Sequence, residues 1–284
     1  MSARAFALGR GPLVMGIVNV TADSFYPTSR SPTAALAAEA ALAMEAEGAA
    51  MIDLGGESTR PGSEYVGEAE ELERVVPAVE AIRARTAIPI SIDTRKAAVA
   101  AAALDAGADI INDVSALEAD PAMAALAARS GAAVVLMHMR GDPRTMQEAP
   151  VYADCAAEVA GYLGAAARRA LAAGIARDRI ILDPGIGFGK RLEDNLDLIA
   201  RLGLIVDLGY PVLVGLSRKA FVGAVTGRGV EGRLAGSLGA ACAAYAAGAR
   251  VFRVHDVAAT VDALAAYAAS VGSARKGAEA GMTA

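Results

Sequence analysis

The sequence predicts an α/β fold: a single (β/α)8 TIM barrel with its active site at the C-terminal ends of the strands. Three observations carry this. Short apolar runs rich in β-favouring residues recur eight times. Alanine- and leucine-rich stretches of helical period separate them. The chain is 284 residues long, close to the roughly 250 typical of such a barrel. A doubly wound open sheet is the alternative, but it usually has fewer strands and often a recognisable phosphate turn.

The strands are expected at about 12–19, 50–54, 89–93, 109–113, 133–138, 180–183, 211–216 and 251–255. Helical period appears at 33–47, 68–85, 95–106, 152–173, 192–208, 232–247 and 257–269. No linker or break in composition divides the chain. Residues 1–271 are therefore read as one domain, and the small, polar residues 272–284 as a loose tail.

Composition narrows the function classes. The apolar fraction is 55 %, inflated by alanine, and the aromatic fraction is 4 % with no Trp. Close-packed small helices on strands give this profile. A net charge of −5 gives no reason to expect nucleic acid or an acidic membrane as partner. Cys155 and Cys242 fall inside alanine-rich helical patterns and read as small buried hydrophobes rather than as a disulfide or metal pair. The N-terminus lacks an apolar signal core, and no run reaches the roughly 18 apolar residues of a membrane span. A cytoplasmic protein is expected.

A barrel demands functional residues at the C-terminal ends of its strands. Those ends carry Asn19, Asp53, Asp93, Asn112, His138, Asp183, Lys219 and His255. One polar strand end is usually a helix cap; so many on one mouth point to a ligand pocket. Arg253 and His255 are two apart and share a face of the last strand.

The stretch 180–190, IILDPGIGFGK, is the most informative. A buried strand runs into Asp183, then a Pro breaker and a glycine-rich turn. A buried carboxylate needs a partner with several N–H donors, either a protein Arg or the edge of a ligand. The turn resembles a phosphate loop, but Pro184 stands where a P-loop has its first Gly, and Arg191 follows Lys190 in place of Ser or Thr. The dinucleotide fingerprint fails as well, since its third Gly falls on Leu192.

The mouth thus offers acids (Asp93, Asp183), amides (Asn19, Asn112), cations (Arg60, Lys219, Arg253) and the imidazole of His255. Acids with Asn112 suit a flat heterocycle bearing amino and ring N–H donors. Cations with helix N-termini suit a phosphate or diphosphate. Only two histidines exist, His138 and His255, so no zinc cluster can form from Cys and His. Mg²⁺ held chiefly by a substrate diphosphate remains open.

These motifs resemble the dihydropteroate synthase family of pterin-binding enzymes. The matching segments are MGIVNVTADSF (15–25), DLGGESTRPG (53–62), SIDTRK (91–96), GADIINDVS (107–115), VLMHMRGDPRTMQ (135–147), ILDPGIGFGK (181–190), LVGLSRKAFVG (213–223), RLAGSL (233–238) and VFRVHDV (251–257). They span nearly the whole chain in family order.

The resemblance implies a folate-pathway transferase, a sulfonamide target and a homodimer. It condenses a dihydropterin-methyl diphosphate with 4-aminobenzoate and releases pyrophosphate. Carried over position by position, Asp183 grips the amino edge of the pterin with Asn112 and Asp93, through charge-assisted bonds worth about 1.5–3 kcal/mol each. Lys219 contacts the pterin ring and Arg253 lies over it. Arg60, Arg253 and His255 hold the diphosphate, with Mg²⁺ carried by Asn19. Thr59 and Pro61, with Phe25 and Phe188, form the aminobenzoate site. Asp23 and Phe25 supply an anion and a π-face for the cationic pterin methylene. Asp93, Lys219, Arg253 and Asp23 are the expected catalytic residues.

Two positions depart from the family pattern. Ala220 stands where a Ser usually follows the lysine, removing a hydroxyl that would help hold the aminobenzoate carboxylate. The first loop reads TADSFYPTSR, with Ala22 for Pro and no glycines. Plainer roles are assigned elsewhere: Asp53 holds the second loop, His138 packs or supports a site residue from behind rather than touching a ligand, and Lys190 is a solvated charge ending a loop. Glu68, Glu70, Glu71 and Glu73 form a solvated first helical turn. Two other functions remain: a folate-to-corrinoid methyltransferase on the same barrel, and a pterin-binding paralogue without turnover.

Overall fold

The computed structural model describes residues 11–20, 30–57, 65–142 and 144–281. Strands and helices alternate along the chain: β1 (Leu13–Asn19), α1 (Arg30–Ala46), β2 (Met51–Gly55), α2 (Glu68–Arg83), β3 (Ile90–Asp93), α3 (Ala97–Ala106), β4 (Ile110–Asp113) and α4 (Met123–Ser130). There follow β5 (Ala133–Met137), α5 (Cys155–Ala172), β6 (Ile180–Asp183), α6 (Leu192–Ala200), α7 (Gly203–Val206), β7 (Leu213–Val214), α8 (Ala220–Thr226), α9 (Leu234–Ala246), β8 (Val251–Val254) and α10 (Val257–Gly281).

The eight strands form one sheet in the order β6-β5-β4-β3-β2-β1-β8-β7, and every described pairing is parallel. Its two ends meet at a parallel bridge between Leu182 and Val212, where the Leu182 N–H donates to the Pro211 carbonyl at 2.9 Å. The sheet is therefore a closed barrel, and the expected fold is the observed one.

Closure explains why the strands read as unbroken apolar runs: one face meets the helices and the other fills the barrel. The outer face and the helices share one large core, with Ile52, Leu54, Ile90, Ile92, Ile111, Leu136, Leu182 and Phe252 among its members. A second, smaller cluster lies inside the barrel and takes Met15, Met51, Ile110, Ala133, Val135, Ile181, Leu213 and Val251. Side chains alternate along a strand. Continuing toward the C-terminal ends, the same inward face therefore carries Asn19, Asp53, Asp93, Asn112, Asp183, Arg253 and His255. The barrel is apolar at its base and charged at its mouth.

Three element expectations need correction. The helix expected at 192–208 is two, α6 and α7, interrupted at Arg201–Leu202 ahead of Gly203. The short helices α4 and α8 lie where periodicity points to none, because seven or eight residues hold barely two turns of the pattern. Finally, α10 runs to Gly281 and takes up most of the stretch read as a loose tail. The alanines, Arg275, Lys276 and Glu279 of that stretch are good helix formers that offset Gly272 and Gly277. Among the described residues, no helix is long and apolar enough to cross a membrane.

Candidate active site

At the mouth of the barrel, Arg253 spans two acids from neighbouring strands. Its Nε donates to Asp53 Oδ2 at 2.6 Å, and its Nη2 donates to Asp93 Oδ2 at 2.9 Å. Asn112 Nδ2 donates to both Asp53 oxygens, at 3.3 and 3.2 Å. The register makes this possible. Asp93 pairs with Asn112, Asp53 lies one inward position lower beside Ser91, and Arg253 lies lower still, level with Met15 and Met51, so its long side chain reaches up to both acids. Asp53, Asp93 and Asn112 are buried, while Arg253 keeps one edge toward the opening.

Burial decides the charge states here. It pushes the Asp93 carboxyl up to about 7, an effect that Arg253 opposes and Asp53 reinforces. Burial alone would lower Arg253, but Asp53 and Asp93 outweigh it and hold the guanidinium charged above its ordinary range. Asp183 is likewise raised by burial, against the pull of Lys219 and of the Gly185 N–H, which donates to its Oδ1 at 2.7 Å. Lys219 is lowered to about 8 by burial, with Asp183 opposing that shift.

Lys219 reaches the mouth by an unusual backbone. Arg218, just before it, has φ +56°, a left-handed conformation that costs a side-chain-bearing residue about 1–2 kcal/mol. Three contacts hold it there. Ser237 Oγ accepts from the Arg218 N–H at 2.9 Å, and Arg233 Nη1 donates to the Arg218 carbonyl at 3.0 Å. The Arg218 guanidinium pairs with Asp256, at 2.6 Å from Nη2. Lys219 then donates to the Ile186 carbonyl, and its ammonium lies 4.6 Å from the centre of the Phe188 ring. Beside it, His255 Nδ1 is 3.1 Å from Ser217 Oγ.

Of the residues expected from the sequence, the structure brings Asp93, Asn112, Asp183, Phe188, Lys219, Arg253 and His255 to this mouth, with Asn19 at the end of β1. Asp23, Phe25, Thr59, Arg60 and Pro61 lie outside the described residues. Ala220 is exposed and opens α8 directly after Lys219.

Several plainer assignments change. Asp53 does not hold the second loop; it is fully buried and orients Arg253 and Asn112. Lys190 is not a solvated charge but only 3 % exposed, enclosed by backbone carbonyls. Glu71 is not in a solvated turn but fully buried, bonded to Lys96, which also reaches Glu57. Arg95 joins the same cluster through Glu57 at 3.0 Å. This network ties the start of the second loop to the N-terminus of α3. The spacing of Asp53 two residues past inward Met51 was the signal for its role; nothing local in the sequence signals the depth of Lys190. His138 does pack as expected, edge-on to Tyr162 with ring centres 5.0 Å apart.

Comparisons agree with this geometry. The sequence profile of the family described as "Pterin binding enzyme" matches residues 15–255. The chain is 47 % identical over 253 residues to the dihydropteroate synthase of Escherichia coli (strain K12), covering 89 % of each chain. A Xanthomonas albilineans dihydropteroate synthase structure with 4-aminobenzoic acid superposes with a TM-score of 0.85 at 48 % identity, covering 92 % of this chain and 93 % of that one. The same organism's enzyme in complex with 7,8-dihydropteroate gives a TM-score of 0.83 at 45 % identity, covering 93 % and 95 %. The chain belongs to the pterin-binding enzyme family.

Proposed function

We infer that this barrel performs the dihydropteroate synthase reaction. It condenses (7,8-dihydropterin-6-yl)methyl diphosphate with 4-aminobenzoate to give 7,8-dihydropteroate and pyrophosphate. The observation that carries the reading is the buried set Asp93, Asn112 and Asp183, one from each of three strands, facing Lys219 and Arg253 across the mouth. Carboxylates and an amide match the donor-rich edge of a pterin, and cations match a diphosphate.

In the reaction the methylene C–O bond to diphosphate breaks, the aniline nitrogen forms the new C–N bond, and that nitrogen gives up a proton. Negative charge grows on the departing pyrophosphate, and Arg253 and His255 stand where cationic or N–H donors stabilise it. Asp183 and Asn112 hold the pterin so that the methylene faces the incoming amine. An aniline nitrogen is already nucleophilic, so the site has no need of a strong general base.

Mg²⁺ fits the donors at the mouth as a companion of the diphosphate. Among the described residues no group of three His, Cys, Asp or Glu could hold a metal by itself. Asn19 offers a hard amide oxygen, and a side chain at Gly55 would fill the space between it and Asp93, with the added carbon 3.8 Å from Asn19 Oδ1 and 3.6 Å from Asp93 Cβ. Asn19 would hold the ion, with the substrate supplying most remaining oxygens. Its chemistry there is charge neutralisation on the leaving group.

The aminobenzoate site would take Thr59, Pro61 and Phe25 with Phe188, and Arg60 would join the diphosphate contacts; sulfonamides would compete for the same place. Asp23 would face the pterin methylene. A homodimer in the cytoplasm rests on the family resemblance. The small residues of α9 do not demand it, since Gly236 packs on Val222 and Ala244 is buried in the barrel's own core. The testing measurement is pyrophosphate release from the dihydropterin diphosphate, with and without 4-aminobenzoate and Mg²⁺. Release should require all three components and fall at least a hundredfold in Lys219→Ala. Pterin binding with no release would turn the reading to the paralogue without turnover.

A further inference from the structure

The loop 184–190 is wrapped around the side chain that ends it. Lys190 Nζ donates to the Gly185 carbonyl at 2.9 Å and to the Phe188 carbonyl at 3.0 Å, and stands 3.0 Å from His138 Nδ1. The His138 carbonyl is a more distant neighbour at 3.4 Å. An ammonium has three N–H donors. Two are spent on the loop and one on the imidazole, which burial keeps neutral by lowering it to about 3, so that Nδ1 can accept. Burial lowers this ammonium to about 7, with Asp183 opposing the shift; in its charged form each of the three N–H groups has an acceptor, which neither a neutral side chain nor a planar guanidinium reproduces.

What this cation holds is the wall of the pterin pocket. Gly185 N–H bonds Asp183, the Ile186 carbonyl takes Lys219, and Phe188 lies against the Lys219 ammonium. The loop also lies flush on the segment after β5, where a methyl group at Gly189 would fall 2.3 Å from the Arg140 carbonyl. Lys190 is thus the cross-piece between the ends of β5 and β6.

We infer that Lys190, with His138 as its third acceptor, is a positioning residue: its ammonium shapes the 184–190 loop from inside and thereby sets where Asp183, Lys219 and Phe188 meet the pterin. This deepens the proposed synthase reading and rests on it.

The test uses the full chain. Lys190→Met keeps most of the unbranched side chain, one atom shorter, and removes the donors. The expected result is a folded protein whose kcat/KM for the dihydropterin diphosphate falls tenfold or more. Adding Phe188→Ala should then cost less than it does alone, because the ring has already lost its place. Should Lys190→Met not fold, His138→Phe keeps the ring packed between Tyr152 and Tyr162 and removes one acceptor, and a loss of about threefold in the same constant is expected. Unchanged kinetic constants with only a lower Tm, or fully additive effects of Lys190→Met and Phe188→Ala, would overturn the inference. The unmodified protein is the control that separates the two ideas, since failure of its pyrophosphate release would count against the synthase reading and not against Lys190.

Discussion

Ala220 is exposed at the first position of α8, one residue beyond Lys219, which reaches the mouth of the barrel. A serine there would add a hydroxyl beside the mouth without displacing a buried group. One neutral hydrogen bond contributes about 0.5–1.5 kcal/mol, so Ala220→Ser should lower the KM for 4-aminobenzoate about twofold to tenfold, with kcat for the pterin step little changed. Steady-state kinetics with aminobenzoate varied would decide, and an unchanged KM would show that this position does not hold the carboxylate. Other single residues show where a sequence stops being informative. The identity of the strand-end acids was readable because period-2 alternation puts them on the inward face. Depth was not. Lys190 follows a glycine-rich turn, where a terminal lysine ordinarily reaches solvent, and only the tertiary wrap of the loop around it reverses that. Glu71 was hidden for the same reason: an acidic first turn suits solvent, and the partner that buries it, Lys96, is 25 residues away.

At the scale of elements, strand ends were legible to within a residue or two, because a strand buried on both faces has no polar interruption. The short helices and the broken helix at 192–208 were not, since two turns give too few repeats to set a period. The loop after β6 is the element on which the site depends most. Its Gly185 has φ +65°, and an added methyl there would fall 2.0 Å from the His138 carbonyl oxygen. The left-handed backbone costs about 1–2 kcal/mol for any other residue, and overpacking against backbone adds about 1–3 kcal/mol. Gly185→Ala should therefore lower Tm by ~5 °C or more and reduce pterin affinity, since the same residue's N–H bonds Asp183. Gly203→Ala is the control: nothing lies within 4 Å of its added methyl and its φ is not positive. Thermal denaturation of both variants tests this, and equal Tm values would mean that the loop relaxes freely.

At the scale of the whole molecule, the barrel carries its charge where a barrel is least able to solvate it. The inner cluster at its base is apolar, while five strands deliver Asp53, Asp93, Asn112, Asp183 and Arg253 to the inner face of its mouth. Such a site costs stability until a ligand pairs with it. Asp183 makes the argument testable. Burial raises its carboxyl above the ordinary 3.8, so the folded state binds this proton more tightly than the unfolded chain does. The sign of the linkage follows: stability from this group is fully present below about 4 and is lost as pH rises through the folded value. Asp183→Asn, which stays neutral, should therefore gain in Tm over the parent protein as pH is raised from about 4 toward neutrality. The order must invert with substrate present. A ligand at one hundred times its Kd adds about 2.7 kcal/mol, which for a chain of this size raises Tm by about 5 °C or more. The parent should show that rise with the dihydropterin diphosphate, and Asp183→Asn should lose most of it. A variant that keeps the full ligand-induced rise would remove Asp183 from the pterin contacts. One whose Tm tracks the parent at every pH would show instead that Lys219 and the Gly185 N–H already compensate the buried charge without a ligand.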